Sequence, residues 1–273
     1  MVREITIGQY YYTDSAIHRL DPRVKLMGTL VYVIGLFIVN NILGYILCAI
    51  ALGAVIGISK VPIKYIVKGL KAVVIILLIT VVFNMFLTPG LTVIEIGIFR
   101  ITLEGIKSSI FMTLRLIMLI MGCSLMTLTT TPNNLTDGLE KALKPLEAIK
   151  VPVHDVAMMM SIALRFIPIL LEETDKIMKA QAARGVDFEN GSIIKKAKNM
   201  VPILVPLFVS AFRRANDLAV AMEARCYRGG LGRTKMKPLK YNNKDYLAYV
   251  ILVIFLALAI LLTIFGTLPF ENF

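Results

Sequence analysis

Arg184 and Arg225 are the residues whose type and spacing best suit chemistry, and that chemistry is recognition. Each closes the same phrase: Ile177-x-x-Ala180-x-x-Ala183-Arg184 recurs 41 residues later as Leu218-x-x-Ala221-x-x-Ala224-Arg225. The first copy runs into Gly185, the second into Cys226-Tyr227-Arg228-Gly229-Gly230. Apolar and small residues at threes place one packing stripe on each helix, with an arginine at its end. A guanidinium pairs with a carboxylate or with backbone carbonyls, and small neighbours let such a helix end enter a groove. A plainer reading stands beside this one. Arginine in a last turn complements the helix dipole, and glycine just beyond it is a generic stop. The repetition favours docking onto two similar partners.

Other candidates for chemistry are sparse. Arg115 lies inside an apolar run, where an ionisable residue is functional by default, although snorkelling to the headgroups accounts for it equally well. His18 and His154 are isolated, and Cys48, Cys123 and Cys226 have neither disulfide nor metal-ligand spacing. Met158, Met159 and Met160 offer an adaptable surface or ordinary packing. Gly53-x-x-x-Gly57 fits a close helix-packing face, a match that is common by chance in an apolar run and says nothing about function. No P-loop, zinc-protease or nucleophile-elbow motif occurs, and the apolar runs carry no Asp, Glu or His for ion coupling. The expectation is a non-catalytic coupling element with no cofactor and no metal.

The elements that must position these residues are membrane helices. The chain is 57% hydrophobic, has no Trp and shows a mean hydropathy of +0.76. Apolar runs cover Leu26–Asn40, Ile42–Ile58, Ala72–Leu87, Ile110–Leu128 and Leu247–Phe265, which gives about five spans. Asn40-Asn41 breaks the first two into a hairpin. A net charge of +12 raises nucleic acid as a partner, but its distribution points elsewhere. Arg3, Arg19, Arg23 and Lys25 precede the first run, the Asn40-Asn41 turn is neutral, and Lys60, Lys64, Lys68 and Lys71 fill the next loop. Basic, neutral, basic is the positive-inside alternation, with the N-terminus and the segment 129–245 cytoplasmic. The first apolar run begins only at Leu26 and no cleavage site follows it, so no signal peptide is expected.

The segment 129–245 holds 19 Lys+Arg against 12 Asp+Glu and is too patterned for a loop. Thr131-Pro132 starts a helix that the pattern continues to Pro152. A second runs from about His154 to Arg184, where Gly185 ends it. A third runs from near Ser192 to about Arg225, with Pro202 and Pro206 expected to kink it. The last two are greasy first and polar later, like levers carrying their arginines away from the membrane. The fold class expected is all-α and polytopic, about five transmembrane helices plus about three long coupling helices. Its domains are 1–128 (four spans), 129–245 (coupling helices) and 246–273 (a last span and a short outer tail, Gly266–Phe273).

Three stretches carry a family likeness. They are Gly8-x-Tyr10 with Ser15-x-Ile17-His18-x-Leu20-Asp21-Pro22-Arg23-x-Lys25, then Leu164-Arg165-Phe166-Ile167-Pro168 on to Ala180-Gln181-Ala182-Ala183-Arg184-Gly185, and Glu223-Ala224-Arg225-Cys226-Tyr227-Arg228-Gly229. In these the chain resembles, over nearly its whole length, the transmembrane T component of energy-coupling factor (ECF) transporters of the cell membrane. The resemblance implies import of vitamins or transition-metal ions by a complex with two ABC-type ATPases and a small substrate-capturing S component. It implies that Ala183, Arg184 and Gly185, and likewise Ala224, Arg225 and Cys226, dock on the ATPases. It further implies an apolar S-component surface including Met158, Met159, Met160, Leu204 and Phe208. Cysteine stands at 226 where the family has glycine, which questions the turn there and offers Gly229-Gly230 as the terminator. The alternatives are a pore-forming permease that binds substrate itself, and a lipid-modifying membrane enzyme.

Overall fold

The computed structural model describes residues 10–71, 73–89, 92–96, 99–188, 192–229, 236 and 238–265, with the side chains of 92–101 and 193 outside the description. The tail 266–273, Gly8 and Gly230 therefore lie outside the described residues.

Capping sets most of the helix ends. Asp21 accepts a hydrogen bond from the Arg23 N–H and, with proline next, opens α1 (Pro22–Ile38). Asn41 caps α2 (Ile42–Ser59) through the Gly44 N–H, so the Asn40-Asn41 break falls where the polar pair predicts it. The next helices are α3 (Ile63–Lys71) and α4 (Val74–Leu87). A short antiparallel hairpin, β1 (Thr92–Ile96) and β2 (Phe99–Thr102), leads into α5 (Leu103–Thr129), which Thr102 caps. Thr131 caps α6 (Pro132–Leu143) by accepting from the Asn134 N–H. The long helices α7 (Val153–Ala183), α8 (Ile193–Ala224) and α9 (Asn243–Phe265) complete the chain. The class is all-α and polytopic, with that one hairpin among the described residues.

Two expectations change. The helix begun at Thr131 stops at Leu143, and Lys144–Ile149 tightens into a 3-10 turn. Pro145 is the cause, because it disfavours helical geometry at the residue before it and supplies no N–H. Among the described residues α2, α5, α7 and α9 are long and apolar enough to cross a membrane, and α3 with α4, bent by 61°, adds a fifth if the pair is one broken span. Length and composition thus admit α7, read from sequence as an interfacial helix. α1, at 17 residues, sits at the lower edge of spanning length.

Contacts divide the chain into two units, one from residues 10–139 and 239–265 and the other from 140–238. The first unit packs α1, α2, α5 and α9 around Leu36, Cys48, Leu52, Met118 and Ala259. Gly122 allows this approach, since a Cβ there would lie 2.8 Å from the Tyr32 ring. Gly53 and Gly57 form no packing face among the described residues: a Cβ on either would meet nothing there within 4 Å.

The first unit's polar ends are braced. Asp245, 3% exposed, accepts from the backbone N–H of Asp21 (2.9 Å) and of Asn242 (2.7 Å). Arg23 grips the Asp21 carboxylate at 2.8 and 2.9 Å, and its guanidinium lies 3.7 Å from the Tyr241 ring centroid. Lys25 donates to the carbonyls of His18 and Thr129. His18, isolated in sequence, receives the Ser15 hydroxyl on Nδ1 (2.7 Å) and donates from Nε2 to the Tyr11 carbonyl (3.1 Å). Burial lowers the His18 pKa, outweighing the Tyr11 carbonyl's opposite pull. The folded state thus favours the neutral ring. Its contribution is whole above the unfolded value of about 6.5 and is lost as the pH falls below that through the lower folded value. At pH 5.5 the amides of residues 11–20 are expected to exchange hydrogen faster than at pH 7.5, after correction for intrinsic rates. Equal protection at both values would mean that the ring does not hold this segment.

Candidate functional site

Arg184 and Arg225 each cap their helix, α7 and α8, and the two ends are built alike. At the first, Gly185 N–H bonds to the Ala182 carbonyl (2.9 Å) and Val186 N–H to that of Gln181 (3.1 Å). At the second, Cys226 N–H bonds to Glu223 (2.8 Å) and Tyr227 N–H to Met222 (3.0 Å). This is the paired 5→2 and 6→1 closure of a left-handed helix stop. Gly185 has φ +87° and Cys226 has φ +56°. The cysteine therefore keeps the turn that glycine makes, and Gly229 is not needed to end the helix. Its left-handed backbone costs a non-glycine residue roughly 1–2 kcal/mol. Gly185→Ala should accordingly lower the thermal midpoint by the equivalent of about 1 kcal/mol, while Cys226→Gly should leave it level or raise it. A lower midpoint for Cys226→Gly would show that the thiol itself holds the turn.

Both arginines are exposed, as are Ala183, Ala224, Gly185 and Cys226. Among the described residues neither guanidinium has a hydrogen-bond or ion-pair partner. Two cations at exposed helix ends, each flanked by alanine, present five N–H donors apiece at the surface.

The sequence did not reveal how α7 and α8 run relative to each other. Near one end Asn199 Nδ2 donates to the Asp187 carbonyl (2.6 Å). Midway, Glu173 accepts from the Ser210 hydroxyl (2.7 Å) and from Arg214 Nη2 (2.9 Å). At the far end the Tyr227 hydroxyl donates to Met158 Sδ (3.0 Å). As one index rises the other falls, so the helices are antiparallel. Two levers pointing the same way give place to a pair whose arginine tips lie at opposite ends. Tyr227, two residues past Arg225, touches Met158, and α7 rises about 38 Å from there to Ala183. A cleft of about 380 Å³ opens beside the Glu173–Arg214 pair, lined also by Lys176, Ile177 and Ala180. Pro168, Pro202 and Pro206 lie inside helices that continue through them.

The other expected contacts separate. Met158 is engaged by Tyr227, while Met159 and Met160 are exposed beside it. Leu204 and Phe208 are exposed on α8 with Val201, Val205, Val209 and Phe212. These fall at i, i+3, i+4, i+7, i+8 and i+11, one apolar helix face. Through the antiparallel pairing that face lies about 30 Å along the pair from the methionines. Sequence reasoning missed Glu173, Ser210 and Arg214, which fasten the pair; nothing local marks them among the other polar residues of these helices. His154, also isolated in sequence, pairs its Nδ1 with Glu140 (3.0 Å).

Comparison with known proteins bears on this arrangement. The family model described as cobalt transport protein (CbiQ) matches residues 13–237, which include both arginine ends. The energy-coupling factor transporter transmembrane protein of Clostridium kluyveri is 55% identical over 96% of this chain and 97% of its own. This chain belongs to that family. Its counterpart in Thermosediminibacter oceani is 53% identical over 91% of this chain and 94% of its own, and that in Bacillus subtilis 48% over 94% and 98%. As a member of the energy-coupling factor transmembrane family it is a membrane component of a transporter, and the α7–α8 pair is the part that the sequence phrase singles out.

Proposed function

We propose that this chain is the non-catalytic coupling scaffold of an ECF-type importer in the cell membrane. The two arginine ends each seat on one of two ABC-type ATPase subunits. Arg184 with Ala183 and Gly185, and Arg225 with Ala224 and Cys226, are the docking elements. One observation carries this reading: two helix stops of the same geometry, both exposed and both tipped by an arginine without a partner among the described residues, lie at opposite ends of an antiparallel pair. A single partner would not need two copies, whereas a pair of similar ATPases does.

When nucleotide closes the ATPase pair, the tips move together and the α7–α8 pair swings as a unit around its Glu173–Arg214 fastening. The exposed face of Leu204 and Phe208 on α8 and the Met158–Met160 cluster then grip a small S component embedded in the bilayer. That partner selects the cargo, a vitamin or a transition-metal ion, so this chain carries no substrate site for it. The N-terminus and the segment 129–245 face the cytoplasm. Mass measurement of the assembly purified in mild detergent from native membranes tests the reading. Two ATPase subunits and one small membrane protein per chain are expected. A chain that arrives alone and binds substrate would make it a permease.

A further inference from the structure

A second polar site lies in the first unit, far along the chain from either arginine end. A cavity of about 370 Å³ opens between α5 and the α1–α2 turn. Arg115 and Lys107 supply its charge, with Ser108, Asn40, Asn84 and Tyr45 as neutral polar groups. No carboxylate is among its described lining residues. Lys107, Ser108 and Arg115 share one face of α5 with Phe111 and Met112, which form the apolar wall.

Arg115 is held there entirely by neutral acceptors. Its Nε donates to the Tyr45 hydroxyl (3.0 Å), and one Nη2 reaches the Val39 carbonyl (3.1 Å) and Asn40 Oδ1 (3.0 Å). These bonds pin the turn between α1 and α2 and give Arg115 a structural role. They do not neutralise it, and Nη1 has no partner among the described residues. A half-buried guanidinium and an ammonium, both facing one cavity with no counter-charge among the described residues, call for an anion.

We propose that this cavity binds the phosphate of a membrane phospholipid headgroup, with Arg115 and Lys107 as its counter-charges. Phosphate suits the donors, because a guanidinium offers a planar fork and an ammonium a point charge. The surroundings favour a lipid over a soluble ion. Phe37, whose ring centroid lies 5.7 Å from the Arg115 guanidinium, is 55% exposed, and the neighbouring Ile110 on α5 is 61% exposed. Acyl chains leaving the headgroup would cover these surfaces, while a free ion would leave them bare.

Lys107 is the residue to change, because no hydrogen bond among the described residues depends on it. The purified full chain in detergent is titrated with dioleoylphosphatidylglycerol, and retained lipid is read by native mass spectrometry. Dioleoylglycerol and inorganic phosphate serve as parallel probes, with Lys107→Glu and, as a charge control on α3, Lys68→Glu. One lipid is expected to be retained by the wild type and by Lys68→Glu. Lys107→Glu should weaken that retention about tenfold, at unchanged thermal midpoint without lipid. Equal retention by Lys107→Glu and wild type would overturn the proposal. So would binding of dioleoylglycerol as tight as that of the phospholipid, or full displacement of the lipid by millimolar inorganic phosphate, which would make a soluble anion the occupant.

Discussion

Reversing both tips, Arg184→Glu with Arg225→Glu, is expected to strip both ATPase subunits from the purified assembly and abolish transport while the chain remains folded. The size of the effect follows from what each tip offers. Removing one guanidinium from a charge-assisted pair costs roughly 1.5–3 kcal/mol, a loss of about ten- to a hundredfold in affinity at that end. Reversal adds repulsion wherever the docking groove offers a carboxylate or carbonyl oxygen. The tips stand about 38 Å apart along α7, so their effects should add rather than interact. The single variants differ in kind from the double. With one tip intact, an ATPase pair that associates in its own right stays tethered through the remaining site, and the second contact is lost only as avidity. Arg184→Ala and Arg225→Ala should therefore each yield a partly loaded assembly with slowed uptake. The fold is insulated from the change, because both side chains are exposed and neither has a partner among the described residues. Helical circular dichroism of the double variant should match the wild type. Full ATPase retention with normal uptake would return both arginines to the role of helix-end complements.

Much of this arrangement was legible because helix ends are written locally. Asp21-Pro22, Thr131-Pro132, Ser192 and Arg184-Gly185 each carry the capping chemistry within a few residues, and the structure places helix ends at all four. The composition likewise carried the membrane class. What was hidden depends on contacts distant in sequence. The antiparallel run of α7 and α8 rests on Glu173 with Ser210 and Arg214, on Asn199 with Asp187, and on Tyr227 with Met158. No periodicity within either helix encodes those pairings. Cys226 misled for the opposite reason, since its intrinsic preference argues against a positive φ. There the two backbone closures, with Tyr227 anchored on Met158, hold a conformation that the residue alone would leave. Arg115 stays ambiguous in the sequence alone. Its acceptors on Val39, Asn40 and Tyr45 belong to a turn 70 or more residues earlier, and only folding brings them to it.

Asp245 is where the largest loss of stability is expected, although nothing in its polar neighbourhood of sequence distinguishes it. One buried carboxylate joins two helix starts far apart in the chain: one oxygen takes the N–H of Asp21, the cap of α1, and the other that of Asn242, just before α9. The second bond is half of a capping box, in which an acidic side chain in the first turn reaches back to the residue before the helix. The first extends the same logic across the fold, so that the α1 and α9 starts share an acceptor. Asp245→Ala leaves the Asp21 N–H buried and unpaired, at about 1–3 kcal/mol, loses the part-buried Asn242 bond, at about 1 kcal/mol, and removes a negative charge that two helix N-termini favour. The sum is about 2–5 kcal/mol, reaching the range for breaking a buried charged network. Asp245→Asn separates charge from hydrogen bonding. Its amide keeps one accepting oxygen but turns an NH2 toward the other N–H, so it should recover only part of the loss. Thermal unfolding followed by helical circular dichroism in detergent should therefore rank wild type above Asp245→Asn above Asp245→Ala. Arg23→Met should fall below wild type as well, because it leaves the Asp21 carboxylate buried beside Asp245 with no counter-charge from the guanidinium now stacked on Tyr241. An alanine variant within about 1 kcal/mol of wild type would show that water replaces the carboxylate at this junction and that apolar packing of α1 against α9 alone closes the first unit.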